Sequence, residues 1–261
     1  MNWWQILLVV LGSAVLLFVL SIVFYKPFFK RFWDVVLSGF AIIVLFPFLL
    51  LLSIIGAFAM RGNPFFVQKR PGKKGKDGKE RIFSLIKFRT MLYPQTRDGQ
   101  RITDNERLEY IEKGVDILSD EERLNRYGRF LRATSFDELP ELLNILKGEM
   151  SIIGPRPLST IYLPYYTENE RRRHDLRPGL SGMAQIHGRN SASWGKRFEY
   201  DIKYVDSCSF FLDIKILFQT VFMVFKHEGI CQGEQRPIAF NIERQKEMEE
   251  ITINAHSTED C

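Results

Sequence analysis

Two long uncharged stretches open the chain and dominate its hydropathy pattern. No residue from Met1 to Tyr25 is charged, and a second uncharged run extends from Val35 to Met60. A helix needs about 20 apolar residues to cross the hydrocarbon core of a bilayer, and both stretches exceed that length. The first stretch also lacks the basic start and the small-residue cleavage site of a secretory signal. The pattern therefore predicts a retained transmembrane helix, residues 1–29, followed by a second membrane segment, residues 30–61.

The charges that flank the second stretch argue against a straight crossing. Lys30 and Arg31 precede it, and the segment Arg61–Arg81 that follows carries eight basic residues against two acidic ones. Basic flanks favour the cytoplasm, so both ends of the stretch are expected on the same side. Pro47 lies in its middle, where a proline removes a helical hydrogen bond and clashes with the preceding turn. We therefore predict a helix that breaks at Pro47 and returns to the side it entered from, in preference to a straight span.

Residues 62–230 have the patterns of a mainly α-helical domain with one small β-hairpin. Two short apolar segments, Phe65–Lys69 and Ile82–Phe88, flank a loop rich in Gly and Lys, which is typical of paired strands. The later stretch 210–225 predicts a helix that is apolar enough to lie either in the membrane interface or in a core. Residues 231–261 are assigned as a C-terminal tail, and its acidic part from Asn241 onward is expected to be loosely ordered.

Two short polar patterns predict helix starts. Thr103 with Glu106, and Ser119 with Glu122, have the spacing of capping boxes. In a capping box a hydroxyl and a carboxylate satisfy N–H groups at the first turn of a helix. These residues are therefore expected to mark helix ends and not chemistry.

The stretch SFDELPELLNILKG places two carboxylates in front of an apolar helical face. That face is formed by leucines at helical spacing, namely Leu139, Leu142, Leu143 and Leu146. Pro140 is tolerated only in the first turn of a helix, where its missing N–H has no intrahelical partner to lose. The helix is therefore predicted to begin between Ser135 and Asp137, with Asp137 and Glu138 at its N-terminus, and to end at Gly148.

Basic residues flank this carboxylate pair in the sequence. They are Lys87 and Arg89 in the motif KFRTM, Arg132, and Arg156 between Pro155 and Pro157. A carboxylate at a helix start can simply cap N–H groups. Arginines, however, bind phosphate through a bidentate fork, and Mg²⁺ bridges carboxylates to phosphates. The combination predicts a diphosphate site with a bound Mg²⁺, in which an ionised Asp137 is a credible nucleophile.

Three motifs carry a resemblance to a known family, namely KFRTM, SFDELPELLNILKGEMSIIGPRP and RPGLSGMAQIHGRN. From about Lys30 to Gly229 the chain resembles the bacterial sugar transferases, the monotopic phosphoglycosyl transferases that begin assembly of polyprenol-linked glycans. The resemblance implies a re-entrant membrane helix and a catalytic domain on the cytoplasmic face of the bacterial inner membrane. It also implies a Mg²⁺-dependent enzyme that transfers a sugar 1-phosphate from a UDP-sugar to polyprenyl phosphate and releases UMP.

The resemblance further implies roles for individual residues. Asp137 matches the nucleophile that forms a covalent phosphosugar intermediate, and we expect it to bind the metal as well. Glu138 matches its partner in the catalytic dyad. The basic entry to the re-entrant helix is matched by Lys30, Arg31 and Asp34. The residues expected to bind substrate are Lys87, Arg89, Arg132, Pro155, Arg156, Pro157, Gln185 and Arg189.

The chain departs from the family pattern in three places. Phe46 stands before Pro47, where the family commonly has a serine, so the hydroxyl that would stabilise a break is missing. A helix precedes the point at which the minimal members begin. The stretch from Ile102 to Val115 has the character of an insertion.

Charge and cysteine content narrow the expected partners. The basic segment Arg61–Arg81 directly follows a membrane stretch, so anionic lipid headgroups are its expected partner and nucleic acid is not. The three cysteines lack metal-binding spacing, which fits a reducing cytoplasmic face. The expected partners are membrane lipids, a UDP-sugar and polyprenyl phosphate, with downstream glycosyltransferases as candidates.

Two alternatives stay open at the level of sequence. The chain could be a non-catalytic membrane-anchored module that binds anionic lipid or a protein partner. Within enzymes, the lipid phosphate could attack the UDP-sugar directly, with Asp137 only holding the metal. The first alternative predicts that Asp137→Asn leaves function intact. The second predicts that no phosphosugar is attached to the protein.

The same-side topology predicts the accessibility of cysteines at both ends of the second membrane segment. Single cysteines placed before Lys30 and after Arg61, in a chain whose own cysteines are replaced, are expected to resist membrane-impermeant thiol reagents in intact cells. Both should be labelled after lysis, because both ends are expected to be cytoplasmic. Labelling of the position beyond Arg61 from outside the cell contradicts the prediction.

Overall fold

The computed structural model describes residues 2–103, 106, 110, 113–187, 192–225 and 239–246. The chain divides into two compact units. The first unit comprises Met1–Ser38, Lys69–Phe83 and Ile145–Cys261, and the second unit comprises Gly39–Gln68 and Ser84–Asn144. Each unit is therefore built from segments that are distant in the sequence.

The two apolar stretches form two long helices. Helix α1 spans Trp3–Val23, a π-helical turn covers Tyr25–Phe29, and helix α2 spans Lys30–Ala59. Both helices are long and apolar enough to cross a membrane, judged by length and composition. The apolar part of α1 is not buried against the rest of the described chain. Because a helix that is apolar on all sides needs apolar surroundings, a membrane location is supported.

Helix α2 continues through Pro47 without a change of secondary structure. No loss of helical structure marks the predicted break at Pro47, so the break stays a prediction. A proline removes one hydrogen bond of the helical ladder, but the ladder can continue on both sides of a kink. The two serines of α2 donate to carbonyls of their own preceding turns, Ser38 to Asp34 and Ser53 to Leu49, and do not compensate for the lost bond. The same-side return of the segment is a separate prediction and stays one.

The predicted β-hairpin is confirmed and is longer than expected. Strand β1, Phe65–Lys74, pairs with strand β2, Glu80–Phe88. At the turn, the Gly75 N–H donates to the Lys79 carbonyl at 2.8 Å, and Gly78 adopts a left-handed conformation with φ of 74°. Strands pair through backbone N–H and C=O groups, which basic residues also possess. The pairing therefore extends beyond the two apolar segments into the basic loop between them.

Two short helices flank the predicted catalytic pair, the first in the second unit and the second beginning there and ending in the first unit. Helix α3 spans Arg126–Thr134, and helix α4 spans Glu141–Lys147. The Asn125 side chain caps α3 by accepting a hydrogen bond from the Gly128 N–H at 2.8 Å. Gly148 follows α4 with φ of 84°, as predicted for a helix-terminating glycine.

The two capping-box patterns form their reciprocal hydrogen bonds. The Thr103 N–H donates to Glu106 at 2.7 Å and the Glu106 N–H donates back at 3.2 Å, although most of the following residues lie outside the described ones. Ser119 and Glu122 exchange the same two bonds at 2.8 and 3.3 Å. The second box closes a turn and not a helix. That prediction is wrong because capping bonds also stabilise isolated turns.

A small core joins α2 to α3 within the second unit. Leu52 of α2, Phe88 of β2 and Leu131 of α3 form its buried centre. The Tyr127 hydroxyl of α3 donates to the Leu52 carbonyl at 2.8 Å. The Asn125 side chain donates to a carbonyl in the last turn of α2 at 2.9 Å. Carbonyls in a last turn have no partner within the helix, so α3 completes the end of α2.

A short parallel sheet, which the sequence patterns do not predict, organises the first unit. Strand β3, Ser151–Ile153, pairs with strand β4, Gly179–Ser181, with Ser151 opposite Gly179. Strands of three residues are too short for the alternation that identifies strands in a sequence. Four further helices of this unit are α5, Glu168–Arg171, α6, Met183–Ile186, α7, Trp194–Ser207, and α8, Phe210–Phe225.

A buried carboxylate on α8 joins three elements of the first unit. Asp213 accepts hydrogen bonds from Tyr25 at 2.6 Å, from Lys30 at 2.5 Å and from Tyr204 at 2.6 Å. Tyr25 precedes α2, Lys30 begins it, and Tyr204 lies on α7. Burial of an uncompensated charge is costly. The carboxylate therefore holds the start of α2 against α7 and α8.

Helix α8 has one buried apolar face and one exposed apolar face. Ile216 belongs to the core of the first unit, whereas Phe211, Phe218 and Phe222 are exposed. The interpretation as a core helix is confirmed for the buried face, and the interpretation as an interfacial helix stays a prediction for the exposed face.

Residues 240–246 form a further helical stretch that packs on the first unit. Phe240 is buried in an aromatic cluster, and Arg244 pairs with Glu170 of α5 at 2.6 Å. The other buried members of this cluster are Tyr166, Trp194 and Phe198. The prediction of a loosely ordered tail from Asn241 is wrong for residues 241–246, because burial of the adjacent Phe240 outweighs an acidic composition.

Burial of His174 in the first unit predicts a pH-dependent stability. Desolvation, aided by the charges of Arg173 and Lys74, lowers the pKa of His174 to about 3. The unfolded chain takes up this proton near a pKa of about 6.5, so the stabilisation is complete above that pH and is lost as the pH falls toward 3. Over this range the melting temperature is expected to fall more for the native chain than for His174→Gln. Parallel pH profiles of the two proteins contradict the prediction.

Candidate active site

The predicted catalytic pair lies in the second unit, in the short connection between α3 and α4. Asp137 and Glu138 belong to the 3₁₀ turn Phe136–Glu138, which follows Ser135 in a left-handed conformation with φ of 58°. The ring of Phe136 contacts those of Phe48 and Phe130 edge to face, with centroids 5.1 and 5.9 Å apart. This aromatic anchor fixes the backbone that carries both carboxylates.

The position of α4 corrects the prediction that the two carboxylates lie at the N-terminus of this helix. The α-helix begins at Glu141, directly after Pro140, and has only seven residues. Asp137 and Glu138 therefore precede the helix and do not form its first turn, because the chain makes a 3₁₀ turn first. The field of so short a helix is a weak source of stabilisation. A lysine side chain brings positive charge to this region instead.

Lys87 on β2 binds two carboxylates at this turn. Its Nζ lies 2.8 Å from Glu138 Oε1 and 2.9 Å from Glu141 Oε1. The side chain of Glu141 is 3% exposed, and those of Lys87 and Glu138 are 21% and 19% exposed. Water screens such sheltered pairs poorly, so the lysine strongly constrains where Glu138 lies.

Glu141 is absent from the predicted site although it shares the lysine with Glu138. The signal that could have found it is its spacing of three residues from Glu138, which places two side chains on one side of a helical turn. The leucine spacing predicts only the buried apolar face of this stretch and gives no role to Glu141.

Asn144 fixes α4 against the strand that carries Lys87. Its side chain accepts a hydrogen bond from the Ile86 N–H at 3.1 Å and donates to the Ser84 carbonyl at 2.7 Å. Asn144 is buried, so these bonds to the backbone of β2 are sheltered from water. The register between Lys87 and the two glutamates therefore depends on an amide that is not among the predicted site residues.

The two predicted arginines of the second unit have different surroundings. Arg89 is buried just after β2, and its guanidinium carbon lies 3.8 Å from the ring centroid of Tyr93. Arg132 Nε donates to the Thr90 hydroxyl at 3.1 Å. This approach requires Gly128, because a Cβ atom there would lie 1.7 Å from the Thr90 carbonyl oxygen. The segment after β2 therefore determines where both arginines lie.

The Pro-Arg-Pro segment, Pro155–Pro157, follows β3 in the first unit. Pro155 is buried, Arg156 is exposed and Pro157 is partly buried. The Gly179 N–H donates to the Pro155 carbonyl at 2.9 Å, and Arg173 donates to the Arg156 carbonyl at 2.7 Å. Hydrogen bonds from Gly179 and Arg173 therefore fix the backbone of the segment, while Arg156 is exposed at the surface.

The other predicted substrate residues also belong to the first unit. Gln185 lies on α6, and both polar atoms of its amide are buried with no hydrogen-bond partner among the described residues. Because buried amides are normally satisfied, this group is suited to a ligand or a water molecule. His187, which lies next to this group in the motif, stacks on Tyr200 with centroids 4.7 Å apart. Arg189 lies outside the described residues.

The residues predicted to form the basic entry to the membrane helix are bonded within the first unit. Lys30 pairs with Asp213. Arg31 donates to two carbonyls at the end of α4, at 2.5 and 2.7 Å. Asp34 accepts two bonds of 2.9 Å, from the hydroxyl of the first residue of β3 and the N–H of the second. These charges hold α2 to the protein and are not reserved for lipid.

The donor chemistry of the carboxylate pair determines which metal ion it could bind. Within the described part of the chain, no group of three or more His, Cys, Asp or Glu side chains could hold a metal. Mg²⁺ prefers oxygen ligands and usually binds through one or two carboxylates together with substrate phosphates. Asp137 and Glu138 fit that pattern, in which the substrate completes the ligand set.

Comparison with known proteins identifies the family. The model of a family described as bacterial sugar transferase matches residues 25–227, a range that contains every predicted site residue. The chain belongs to the bacterial sugar transferase family. Over 172 residues it is 49% identical to EpsL of Bacillus subtilis, described as an uncharacterized sugar transferase. That match covers 66% of this chain and 75% of EpsL.

Two further relatives differ in length. The exopolysaccharide production protein ExoY of Sinorhizobium fredii is 37% identical over 193 residues, which cover 74% of this chain and 83% of ExoY. A UDP-glucose:undecaprenyl-phosphate glucose-1-phosphate transferase of Klebsiella pneumoniae is 34% identical over 205 residues. That match covers 76% of this chain but only 40% of the Klebsiella protein. The chain therefore matches most of the shorter relatives and less than half of the longer one.

Loss of Lys87 is expected to destabilise this bacterial sugar transferase. Lys87→Met leaves Glu141 buried without its cation, and breaking a buried pair in this way costs about 3 kcal/mol. The melting temperature in detergent should fall by several degrees. Adding Glu141→Gln should recover part of the loss, since a neutral amide is cheaper to bury than a charge. An unchanged melting temperature for Lys87→Met contradicts this assignment.

Proposed function

We propose that this chain is a phosphoglycosyl transferase that moves a sugar 1-phosphate from a UDP-sugar to polyprenyl phosphate and releases UMP. The observation that carries the proposal is the family match over residues 25–227, which includes Asp137, Glu138 and the flanking basic residues. The name of the Klebsiella relative, a UDP-glucose:undecaprenyl-phosphate glucose-1-phosphate transferase, supports this class of donor and acceptor. The name of the ExoY relative supports a product used in exopolysaccharide assembly, where glycosyltransferases would extend it.

The proposed reaction consists of two displacements at one phosphorus atom. A carboxylate oxygen of Asp137 attacks the sugar-bearing phosphorus of the UDP-sugar. The bond from that phosphorus to the bridging oxygen breaks, and UMP leaves with the electron pair. An oxygen of polyprenyl phosphate then attacks the same phosphorus, and the bond to Asp137 breaks to restore the carboxylate. A covalent intermediate of this kind divides one difficult transfer into two easier ones.

The surroundings of the catalytic pair support these roles. The 3₁₀ turn is anchored by Phe136, so Asp137 starts from a fixed backbone. Lys87 holds Glu138 at 2.8 Å, which would keep this second carboxylate in place beside the nucleophile. Arg132 and Arg156 would bind the phosphates, since a guanidinium presents a planar fork to phosphate oxygens.

Mg²⁺ is the proposed cofactor, and Asp137 is its proposed ligand. When bound, the ion would neutralise the diphosphate and stabilise the charge that develops on the departing UMP. The protein would contribute only carboxylate oxygens, and the substrate phosphates would supply further ligands.

We also propose that the catalytic domain lies on the cytoplasmic face of the membrane. The basic residues at both ends of the second membrane segment support the cytoplasmic side. Contacts within the first unit support proximity to the membrane, because the ring of Phe210 at the start of α8 approaches Phe18 of α1 and Trp33 of α2, with centroids 6.0 and 6.4 Å apart. The exposed phenylalanines of α8 would then lie in the interface, where amphipathic helices bury an apolar face. A same-side return of α2 would keep the domain where a lipid phosphate is presented.

The release of UMP tests the proposed activity against a non-catalytic membrane module. The purified chain, supplied with Mg²⁺, polyprenyl phosphate and a panel of UDP-sugars in turn, should release UMP with at least one sugar. Asp137→Asn should lower that rate by about 10³-fold or more, because it removes the nucleophile. Asp98→Asn, which changes an exposed carboxylate of the same unit, serves as the control and should retain the rate. Release of no UMP with any sugar, or equal rates for Asp137→Asn and the native chain, contradicts the proposal.

A further inference from the structure

Arg173, in the turn after α5, is buried although it has no role in the reaction described above. It is 2% exposed, and its Nε and Nη2 donate to Asp201 Oδ2 at 3.0 and 2.6 Å. Its Nη1 donates to the Tyr166 hydroxyl at 3.2 Å. A buried ion pair contributes little net stability, because desolvation of both ions offsets their attraction. The significance of this ion pair is therefore expected to lie in how it positions the groups around it.

A further hydrogen bond connects Arg173 to the Pro-Arg-Pro segment. Its Nη2 also donates to the backbone carbonyl of Arg156 at 2.7 Å. Arg156 is the central residue of the Pro-Arg-Pro segment, and it is exposed while its carbonyl is held from behind. A hydrogen bond from an ionised donor is about twice as strong as a neutral one. The charge of Arg173 thus constrains the backbone from which Arg156 projects.

The start of the same segment is fixed by the parallel sheet. The Gly154 N–H donates to the Ser181 carbonyl at 2.8 Å, and the Gly179 N–H donates to the Pro155 carbonyl at 2.9 Å. The strands meet so closely that a Cβ atom on Gly179 would lie 2.0 Å from the Gly154 nitrogen. The sheet therefore holds the chain up to Pro155, and Arg173 is the next contact along it.

We infer that Arg173 is a positioning residue, which acts by holding the Arg156 carbonyl so that the Arg156 guanidinium is aimed at substrate phosphate. The inference rests on the proposed function, in which Arg156 binds the phosphates of the UDP-sugar. Lysine cannot replace Arg173 in this role. Its single ammonium group lacks the planar fork that reaches Asp201 and the Arg156 carbonyl at the same time.

Binding of UDP to the full chain in detergent, measured by isothermal titration calorimetry, tests the inference. Arg156→Ala should weaken binding about tenfold, which corresponds to the loss of one charge-assisted contact. Arg173→Lys should weaken binding by a similar or smaller factor. In the Arg156→Ala background, Arg173→Lys should have no further effect, because residues that act through one another are not additive. Arg172→Lys makes the same change at a neighbouring arginine that pairs with Asp206, and should leave binding unchanged.

A merely structural role for Arg173 predicts a different result. In that case Arg173→Lys would lower the melting temperature and would weaken UDP binding equally with and without Arg156, or not at all. Either outcome overturns the inference. If Arg173→Lys does not fold, Asp201→Asn loosens the same arginine through its anchor, and the same dependence on Arg156 is expected.

The inference and the proposed activity can fail separately. If Arg156→Ala leaves UDP binding unchanged, Arg156 is not a phosphate ligand, and the inference is overturned. If UDP binding depends on Arg173 through Arg156 but no UDP-sugar yields UMP, the inference stands and the proposed catalysis is contradicted.

Discussion

The ion pair between Lys30 and Asp213 determines how the first unit is built. Their charged atoms lie 2.5 Å apart, and both side chains are 8% exposed. Separation would leave a buried charge without a partner, at a cost of several kcal/mol. The start of α2 is therefore held on α8, and the next charged residues of α2 reach the end of α4 and strand β3. Since the Pro-Arg-Pro segment follows β3 directly, a proposed phosphate-binding segment is connected to the start of α2.

In the second unit, sheltered ion pairs fix the turn that carries the predicted catalytic carboxylates. Lys87 shares its charge between Glu138 and Glu141, while Asn144 bonds to the strand on which Lys87 lies. The result is a carboxylate turn whose shape does not depend on a long helix. A lysine bound to two carboxylates also limits the repulsion that adjacent acidic residues would otherwise suffer. This arrangement would suit the proposed binding of a highly charged diphosphate.

Features that depend on local pattern were predictable from the sequence. The two apolar helices and the hairpin follow from length and strand propensity, and the family follows from long motifs. Features that depend on distant partners were not. The parallel sheet has strands of three residues, and α4 starts late because Phe136 is held by rings from α2 and α3. Glu141, Asn144 and Arg173 were missed because their significance lies in what they contact across the fold.

The central claim of this account is that Asp137 becomes covalently attached to the phosphosugar. Incubation of the chain with Mg²⁺ and a competent UDP-sugar, without any lipid acceptor, followed by intact-mass measurement and peptide mapping, tests it most directly. The account predicts a mass increase of one sugar phosphate, located on the peptide that contains Asp137 and removed when polyprenyl phosphate is added. An unmodified protein that nevertheless produces UMP once the lipid is present contradicts the account, and indicates direct attack by the lipid phosphate.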